Sequence, residues 1–362
     1  MRVLHVAECI GGVDRYLRML LKYSNCENIV VLSQLYNRND YEHLADSVEI
    51  MQIEHNINFN AIKEAYQLRK VIKKYKPDIV YAHSSIAGAI TRMACLFLHT
   101  KVIYNPHGWS FNMDDRNNKI YIILEKIMSH FCDAIICISD SEKKAAIQKK
   151  ICKSNKLHVI YNGVDIKEYS KEKNNSLFPS EKFVVGMVGR ICKQKAPDIF
   201  VKMANEIQHF IKNTCFIIVG GVIEGSDSEK EQIIAMAKQY DIDLIITGWV
   251  NNPLDYIKNF DVGCLFSRWE GFGLVIPEYM LMGVPIVATK VDAIPYLIND
   301  KENGLLIEKD DWKNAAKKVI EIKNNNNLRE HLINNGFKTV QNKFNAQRVA
   351  IECEKLYKEL IK

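Results

Sequence analysis

The chain alternates short apolar runs with longer stretches in which apolar residues recur every three or four positions. The runs predict buried strands, and the longer stretches predict amphipathic helices. This order is typical of parallel sheets with helices on both faces. In the first half the predicted strands are Val3–Ala7, Ile29–Leu32, Val48–Ile53, Ile79–Ala82, Val102–Asn105, Ala134–Ile138 and Leu157–Ile160, and helices include Tyr16–Tyr23, Ile62–Lys74, Ile86–Leu98 and Ser141–Lys150.

A polar segment, Lys167–Ser180, interrupts the pattern and predicts a linker. A second polar break lies at Asn324–Asn327, and a last helix is predicted at Ala346–Ile361. We expect two doubly wound, Rossmann-like domains, residues 1–168 and 169–344, and a C-terminal helix at 345–362. After the linker the predicted strands are Phe183–Val188, Cys215–Val219, Leu244–Thr247, Val262–Phe266, Pro285–Ala288 and Leu305–Ile307.

Composition narrows the class of protein. With 48% hydrophobic and 25% charged residues the chain resembles soluble globular proteins. No apolar run approaches the roughly 18 residues of a membrane span, and the first residues form a predicted strand, so a cytoplasmic protein, at most peripheral to a membrane, is expected. The ten cysteines are scattered without a C-x-x-C pair, which indicates reduced thiols.

The net charge of +6 is modest and spread along the chain. It lacks the clustered basic stripe and stacking aromatics typical of nucleic-acid binding. Anionic phosphates and an anionic membrane surface both remain compatible with it.

The candidate chemistry lies in loops that follow strands, where open α/β sheets bind ligands. Gly11-Gly12 precedes a predicted helix. The pair forms either a tight turn only or a site where the backbone comes close to a phosphate. The G-x-G-x-x-G fingerprint of dinucleotide binding is absent. His107 lies between Pro106 and Gly108. Its usual pKa near 6.5 suits it to donate a hydrogen bond or a proton to a substrate, although a structural role is open.

Two loops in the second half are more specific. Gly189-Arg190 through Lys195 brings two cations suited to a diphosphate, or forms a solvated basic loop. The segment Glu270–Glu278 follows a strand, carries two glycines, and leads into a helix that Pro277 is expected to open. Its backbone N–H groups suit a phosphate or a sugar.

Two further patterns are interpreted as incidental. Asp241-Ile242-Asp243 matches the D-x-D of metal-dependent sugar transferases but precedes a strand, at the wrong end for a site. Gly220-Gly221 with Gly225 lacks both the Walker residues and the dinucleotide spacing.

These motifs, with Asn162-Gly163-Val164-Asp165, occur in an order that resembles the retaining glycosyltransferase family 4, whose fold is GT-B. Glu270 and Glu278 match its E-x7-E signature. The resemblance implies two domains facing across a cleft and a C-terminal helix that crosses back to the first domain. It covers nearly the whole chain, and within the family the chain looks like enzymes of capsule, exopolysaccharide or O-antigen assembly. The loop at Gly220–Gly225 is looser than the family's usual glycine pattern.

By resemblance, Arg190 and Lys195 hold the diphosphate, Glu270 orients the sugar, and Glu278 holds the ribose. His107 is expected near the 6-position of the sugar, and Gly12 near the phosphate. The implied catalytic residues are His107, Arg190, Lys195 and Glu270, and the implied donor-binding residues are Gly12, Gly189, Gly248, Val250, Gly271, Phe272, Gly273, Leu274 and Glu278.

The resemblance further implies a nucleotide-sugar donor, first a UDP-sugar and second a GDP-sugar, a glycan or polyprenyl-linked acceptor, and no metal or other cofactor. Front-face retention is expected because no nucleophile is evident. The alternatives are a nucleotide-sugar epimerase, hydrolase or phosphorylase on the same fold, and a nucleotide-sugar-binding protein without transfer activity.

Overall fold

A computed structural model describes residues 1–9, 11–54, 60–112, 118–169, 181–222 and 227–362. The chain divides into two compact units. The first comprises Met1–Gly163 with Asn345–Lys362, and the second comprises Val164–Phe344. The first division falls a few residues before the boundary expected at residue 168. The predicted linker Lys167–Ser180 lies outside the described residues from residue 170 onward.

The first unit contains a parallel sheet of seven strands in the order β3-β2-β1-β4-β5-β6-β7. The order reverses between β1 and β4, which are direct neighbours. The strands are β1 (Arg2–Ala7), β2 (Glu27–Ser33), β3 (Ser47–Met51), β4 (Ile79–His83), β5 (Lys101–Asn105), β6 (Ala134–Cys137) and β7 (Leu157–Val159), and the helices are α1 (Gly12–Tyr23), α2 (Asn60–Tyr75), α3 (Ser85–Ala94), α4 (Asn118–Met128) and α5 (Asp140–Gln148).

The second unit repeats this architecture with a parallel sheet of six strands in the order β10-β9-β8-β11-β12-β13. Its order reverses between β8 and β11. The strands are β8 (Phe183–Val188), β9 (Thr214–Val219), β10 (Leu244–Ile246), β11 (Val262–Leu265), β12 (Ile286–Thr289) and β13 (Leu305–Ile307), and the helices are α6 (Pro197–Gln208), α7 (Asp227–Gln239), α8 (Leu254–Ile257), α9 (Val275–Leu281), α10 (Ile294–Leu297), α11 (Trp312–Asn324) and α12 (Asn326–Lys343).

The last helix, α13 (Ala346–Ile361), packs in the first unit although it follows the second in sequence. Its buried face carries Val349, Cys353 and Tyr357 at helical spacing, and these share a core with Tyr16 and Tyr81. The Tyr16 hydroxyl lies 3.7 Å from the Cys353 sulfur. The prediction that the C-terminal helix returns to the first domain is therefore confirmed.

Every strand predicted from the apolar runs is present, with ends displaced by one or two residues at most. The helices were less well predicted. Helix α3 ends at Ala94 rather than Leu98, and Phe97 adopts a left-handed φ of 60° that no helix continues through. Helix α12 was not predicted. The asparagine run is its start signal, since the Asn325 side chain accepts a hydrogen bond from Leu328 N at 3.0 Å.

Candidate active site

The two motif-bearing loops of the second unit meet because their strands are neighbours at the point where strand order reverses. Met187 of β8 lies opposite Cys264 of β11 in the sheet register. The loop 189–196 leaves β8, and the loop 266–274 leaves β11, at the same edge. Parallel strands place their carboxyl ends together, so residues about 75 positions apart in sequence come into contact.

The centre of this contact is an ion pair between Lys195 and Glu270. The Lys195 Nζ donates to Glu270 Oε2, which also accepts from Ser267 Oγ at 3.0 Å. Both side chains are largely buried, at 15% and 9% exposure. The backbone N–H of Glu270 donates to Asp292 Oδ2 at 2.8 Å. The carboxylate is therefore held in one position before any ligand arrives.

Arg190 stands apart from this pair. Its side chain is exposed, and Nη2 donates to Gln194 Oε1 at 3.1 Å. Gln194 in turn donates from Nε2 to the carbonyl of Trp269 at 3.1 Å. The Arg190 cation of this loop is therefore exposed to solvent, whereas the Lys195 cation is held in an ion pair.

Arg268 joins the two loops, and the sequence argument missed it. It donates from Nη1 to the Lys193 carbonyl at 2.9 Å and from Nη2 to Asp198 Oδ2 at 2.7 Å. Its Nε donates to Asp310 Oδ1 at 2.9 Å. The planar guanidinium with several fixed N–H groups suits such a bridging role. The sequence signal that could have identified Arg268 is its position shortly after β11, in a loop at the carboxyl edge of the sheet.

Glycine is required where the loops after β8 and β9 cross. A Cβ built on Gly220, whose φ is 146°, would lie 2.0 Å from the carbonyl oxygen of Gly189. The loops are also joined by Ile191 N, which donates to the Gly221 carbonyl at 2.9 Å. Gly225, the last glycine of the segment Gly220–Gly225, lies outside the described residues.

The glycine loop 271–274 leads directly into α9. Gly273 has a φ of 83°, and a Cβ there would lie 3.3 Å from the Glu270 Cγ. Phe272 is buried and its ring meets that of Phe344 edge-on, at 5.8 Å between centroids. Gly271 and Leu274 are half-buried. The segment is thus anchored by Phe272, while its glycines keep the backbone free of side-chain bulk.

Helix α9 begins at Val275, so Pro277 lies within its first turn. The expectation that Pro277 opens the helix is therefore wrong. Proline is tolerated there because first-turn N–H groups have no intrahelical partner. Glu278 follows and is buried. The hydroxyl of Tyr279 accepts from Val188 N at 3.0 Å, which ties the helix to β8.

The expected base-binding segment follows β10. Gly248 has a φ of 72° and forms an isolated bridge with Gly220, and Val250 is half-buried. Between them Trp249 is 56% exposed, and its indole N–H donates to the Val222 carbonyl at 3.0 Å. An exposed indole held by a hydrogen bond was not anticipated from the sequence.

In the first unit, Gly11 and Gly12 leave the backbone open at the start of α1. Gly11 caps the helix at a φ of 92°, a conformation that favours glycine. A Cβ on Gly12 would meet no atom within 4 Å. Packing therefore does not explain Gly12, and the bare helix start suits an anion.

His107 lies after β5 in a left-handed conformation, with a φ of 50°. Its Nε2 lies 3.2 Å from Nδ1 of His83, and its ring meets Tyr16 edge-on at 4.7 Å between centroids. Desolvation lowers the pKa of His107 to about 3. The ring is therefore neutral near pH 7, which argues against an imidazolium acting as a general acid.

The acidic D-x-D sequence lies at the opposite edge of its sheet. Asp241 and Asp243 precede β10, and Asp243 Oδ2 accepts from Lys182 Nζ at 2.7 Å. Across the described ranges, the structure contains no cluster of three or more His, Cys, Asp or Glu side chains arranged to hold a metal ion.

Comparisons with known proteins identify the family. The family model described as Glycosyltransferase Family 4 matches residues 10–168, and that described as Glycosyl transferases group 1 matches residues 168–339. The chain is 31% identical over 304 residues to the UDP-Gal:alpha-D-GlcNAc-diphosphoundecaprenol alpha-1,3-galactosyltransferase of Escherichia coli, covering 77% of this chain and 76% of that protein.

Two further proteins are similar. The capsular polysaccharide biosynthesis glycosyltransferase CapM of Staphylococcus aureus is 27% identical over 318 residues, covering 84% of this chain and 82% of CapM. The structure of Anabaena HepE in complex with UDP and glucose superposes with a TM-score of 0.88, covering 99% of both chains at 19% identity. At 19% identity, the similarity to HepE shows the fold alone.

Two Rossmann-like units, with paired loops at the carboxyl edge of the second sheet, define an enzyme of the GT-B glycosyltransferase class. The chain belongs to glycosyltransferase family 4. The predicted family, fold class and transferase activity are confirmed. The roles assigned to individual site residues stay predictions.

Proposed function

We propose that this glycosyltransferase moves a hexose or N-acetylhexosamine from a UDP-sugar to a lipid-linked glycan, with retention and without a metal ion, in cell-surface polysaccharide assembly. The observation that carries the proposal is the buried Lys195–Glu270 ion pair, which joins two adjoining loops, with the exposed Arg190 on the first of them. The similar E. coli enzyme is named for a UDP-Gal donor and a diphosphoundecaprenol acceptor, and CapM for capsular polysaccharide.

The charges suit departure of a nucleoside diphosphate. When the anomeric C–O bond breaks, its electron pair stays on the diphosphate, and the sugar becomes oxocarbenium-like. Arg190 and Lys195 stabilise that negative charge more in the transition state than in the ground state. The two cations do the work that a divalent ion performs in metal-dependent transferases.

The ion pair gives Glu270 a role distinct from that of a nucleophile. Its Oε2 accepts from Lys195 and Ser267, so we assign the second oxygen, Oε1, as the acceptor for a sugar hydroxyl. In the front-face reaction we favour, the acceptor hydroxyl oxygen bonds to the anomeric carbon. Its proton passes to the departing phosphate oxygen, and the new bond forms on the same face.

The remaining residues are assigned as follows. Glu278 binds the ribose hydroxyls, and the amides of the glycine loop hold the sugar and diphosphate. His107 contacts the transferred sugar. The phosphate-proximal glycines are Gly12 and Gly189, the base-binding residues are Gly248 and Val250, and the loop amides are those of Gly271, Phe272, Gly273 and Leu274.

The test is donor turnover by Arg190→Ala, Lys195→Ala and their combination. We expect a fall in kcat of at least 100-fold for the double variant, as for lost transition-state donors. Lys193→Ala is the matched control, since Lys193 is an exposed lysine on the same loop. Undiminished turnover in the double variant would contradict the assignment. Calorimetric titration with UDP and GDP tests the base, and tighter GDP binding would overturn the UDP proposal.

We further propose that the enzyme works in the cytoplasm, at the inner face of the membrane, through α4. This helix turns Tyr121, Ile122 and the buried Glu125 inward. Its outer face carries an apolar stripe at helical spacing. The stripe consists of Ile120, Ile123, Leu124 and Ile127 on α4 and continues to Phe131 in the turn that follows, and each is between 43% and 56% exposed.

The inward side explains why this orientation is stable. Glu125 accepts from Arg92 Nη1 at 3.0 Å and from the Tyr104 hydroxyl at 2.8 Å, in a buried cluster. Removing one partner of such a pair is strongly unfavourable, so the helix cannot rotate to bury the stripe. Lys119 is exposed beside the stripe and Lys126 is half-buried. An apolar face with basic flanks suits an anionic lipid surface.

Among the described residues, no helix has the length and apolar character needed to cross a membrane. Vesicle sedimentation tests the surface contact. The full-length enzyme should co-sediment with anionic vesicles, and Ile123→Asp with Ile127→Asp should abolish this. Ile351→Asp, an equally exposed isoleucine on α13, is the control and should not. Equal sedimentation of the α4 variant and the wild type would refute α4 as the contact.

A further inference from the structure

A file of three histidines crosses the first sheet to its carboxyl edge. His5 of β1 and His83 of β4 are completely buried neighbours, with His5 Nδ1 3.1 Å from His83 Nε2. His83 Nδ1 lies 3.2 Å from His107 Nε2. At the inner end, His5 Nε2 lies 3.3 Å from Asn28 Oδ1. The file therefore runs without a break from Asn28 to His107.

Asn28 determines the direction in which this file donates. Its Nδ2 donates to the Cys26 carbonyl at 2.9 Å, and the hydroxyl of Ser24 lies 3.5 Å from Oδ1. The reversed amide would set two oxygens against each other at Cys26. Oδ1 is therefore the atom that faces His5, and it can only accept. His5 must carry its proton on Nε2.

The remaining protons follow from the one N–H that a neutral imidazole carries. His5 Nδ1 lacks a proton, so it accepts from His83 Nε2. His83 Nδ1 then lacks a proton and accepts from His107 Nε2. Nδ1 of His107, the ring nitrogen that the file leaves unused, is consequently unprotonated.

The surroundings keep the rings neutral. Two tyrosine rings pack against the file, those of Tyr16 and Tyr81, whose centroids lie 5.7 Å and 4.1 Å from that of His83. Desolvation raises the pKa values of both tyrosines, so they are uncharged too. Burial lowers the pKa of His5 to about 4 and that of His83 well below its usual value.

We propose that Asn28, His5 and His83 are positioning residues that set the tautomer of His107, so that His107 offers Nδ1 as a hydrogen-bond acceptor to a sugar hydroxyl. The sugar contact rests on the proposed function, whereas the tautomer does not. A donor sugar that places a hydroxyl at this nitrogen is favoured over one that lacks it, because a bound sugar without that hydroxyl would shield the half-buried ring from water and leave its acceptor unpaired.

The test uses full-length enzyme labelled with 15N-histidine. Proton-detected spectra should show a protonated Nε2 and an unprotonated Nδ1 in all three rings at neutral pH. Coupling across the N–H···N hydrogen bonds should join His107 Nε2 to His83 Nδ1, with the proton on His107. A proton on His83 Nδ1 or on His107 Nδ1 would overturn the proposal, and this result needs no variant.

Asn28→Leu removes the acceptor at nearly constant volume. His5 should then move its proton to Nδ1 and reverse the file, leaving His107 protonated on Nδ1. KM for the donor should rise about tenfold, corresponding to about 1.4 kcal/mol. The exposed His43 and His209 serve as internal references.

The outcomes separate the two proposals. If Asn28→Leu folds and His107 keeps its proton on Nε2, the relay from Asn28 is refuted. If the tautomer reverses and donor KM stays unchanged, the sugar-acceptor role of His107 is refuted. The proposed function is tested separately, by the Arg190 and Lys195 variants and by UDP and GDP binding, and these tests do not touch the file.

Discussion

Lys195 and Glu270 form one buried unit built from two loops, in which the lysine ammonium donates to the carboxylate that also accepts from Ser267. Motif reading assigns these two residues to different parts of the donor, one to the diphosphate and one to the sugar. Their direct contact makes the charge of each dependent on the other. A ligand that draws Lys195 toward phosphate must also act on Glu270.

This coupling predicts non-additive effects in a double-mutant cycle. Lys195→Met and Glu270→Gln should each lower kcat by at least 100-fold, and the double variant should lose little more than either alone. Each single variant leaves a largely buried charge without its partner, so we expect unfolding free energy to fall by about 2–3 kcal/mol. Turnover kinetics and urea unfolding measure the two effects. Additive losses would show that the residues act independently.

Arg268 should matter for both stability and activity although it is outside the family motifs. Arg268→Ala removes the bonds to Asp198, Asp310 and the Lys193 carbonyl. We expect a loss of about 1–3 kcal/mol in unfolding free energy and a rise in donor KM of about tenfold, because the two loops lose one of the contacts that hold them together. Arg268→Lys should recover little, since an ammonium cannot span three acceptors. Full recovery by lysine would point to charge alone.

Gly12→Ala should separate stability from activity. A Cβ there meets no atom within 4 Å, so unfolding free energy should change by less than about 0.5 kcal/mol. If the backbone approaches a phosphate at Gly12, donor kcat/KM should fall at least tenfold. Gly88→Ala gives the contrast: its Cβ would lie 2.5 Å from the Tyr104 ring, so that variant should lose stability. Unchanged kcat/KM in Gly12→Ala would remove Gly12 from the site.

The buried histidines predict acid sensitivity of the fold. His5 has a pKa of about 4 in the folded chain and 6.5 as a reference value, so the unfolded chain binds more protons between these limits. Above pH 6.5 His5 is neutral in both states and does not lower the unfolding free energy. As the pH falls from 6.5 to 4, the unfolded chain takes up the proton first, so the unfolding free energy decreases. At about 1.4 kcal/mol per pKa unit, the loss reaches about 3 kcal/mol.

Urea unfolding across that pH range measures the loss. His5→Leu should reduce the pH slope, whereas His209→Gln, at an exposed position, should leave it unchanged. An identical slope in His5→Leu would assign the acid sensitivity to other groups.

The sequence by itself determined the strands, the family and the identity of the motif residues. Strands such as Val262–Leu265 are continuous apolar runs that tolerate few alternatives, and the strand–loop–helix order places loops at one sheet edge. Asn325 shows the limit of local patterns. The same asparagine run reads as a break or as a helix cap, and only the hydrogen bond to Leu328 decides between them.

The tertiary structure alone decided which side chains meet. Strand order sets β8 beside β11 and β1 beside β4, and that order is a property of the packed sheet rather than of local sequence. It therefore brings Glu270 to Lys195 and Arg268 to Asp198, and it aligns His5, His83 and His107 into one file. The proton positions in that file follow from burial and from one asparagine amide, because desolvation removes the charged alternatives.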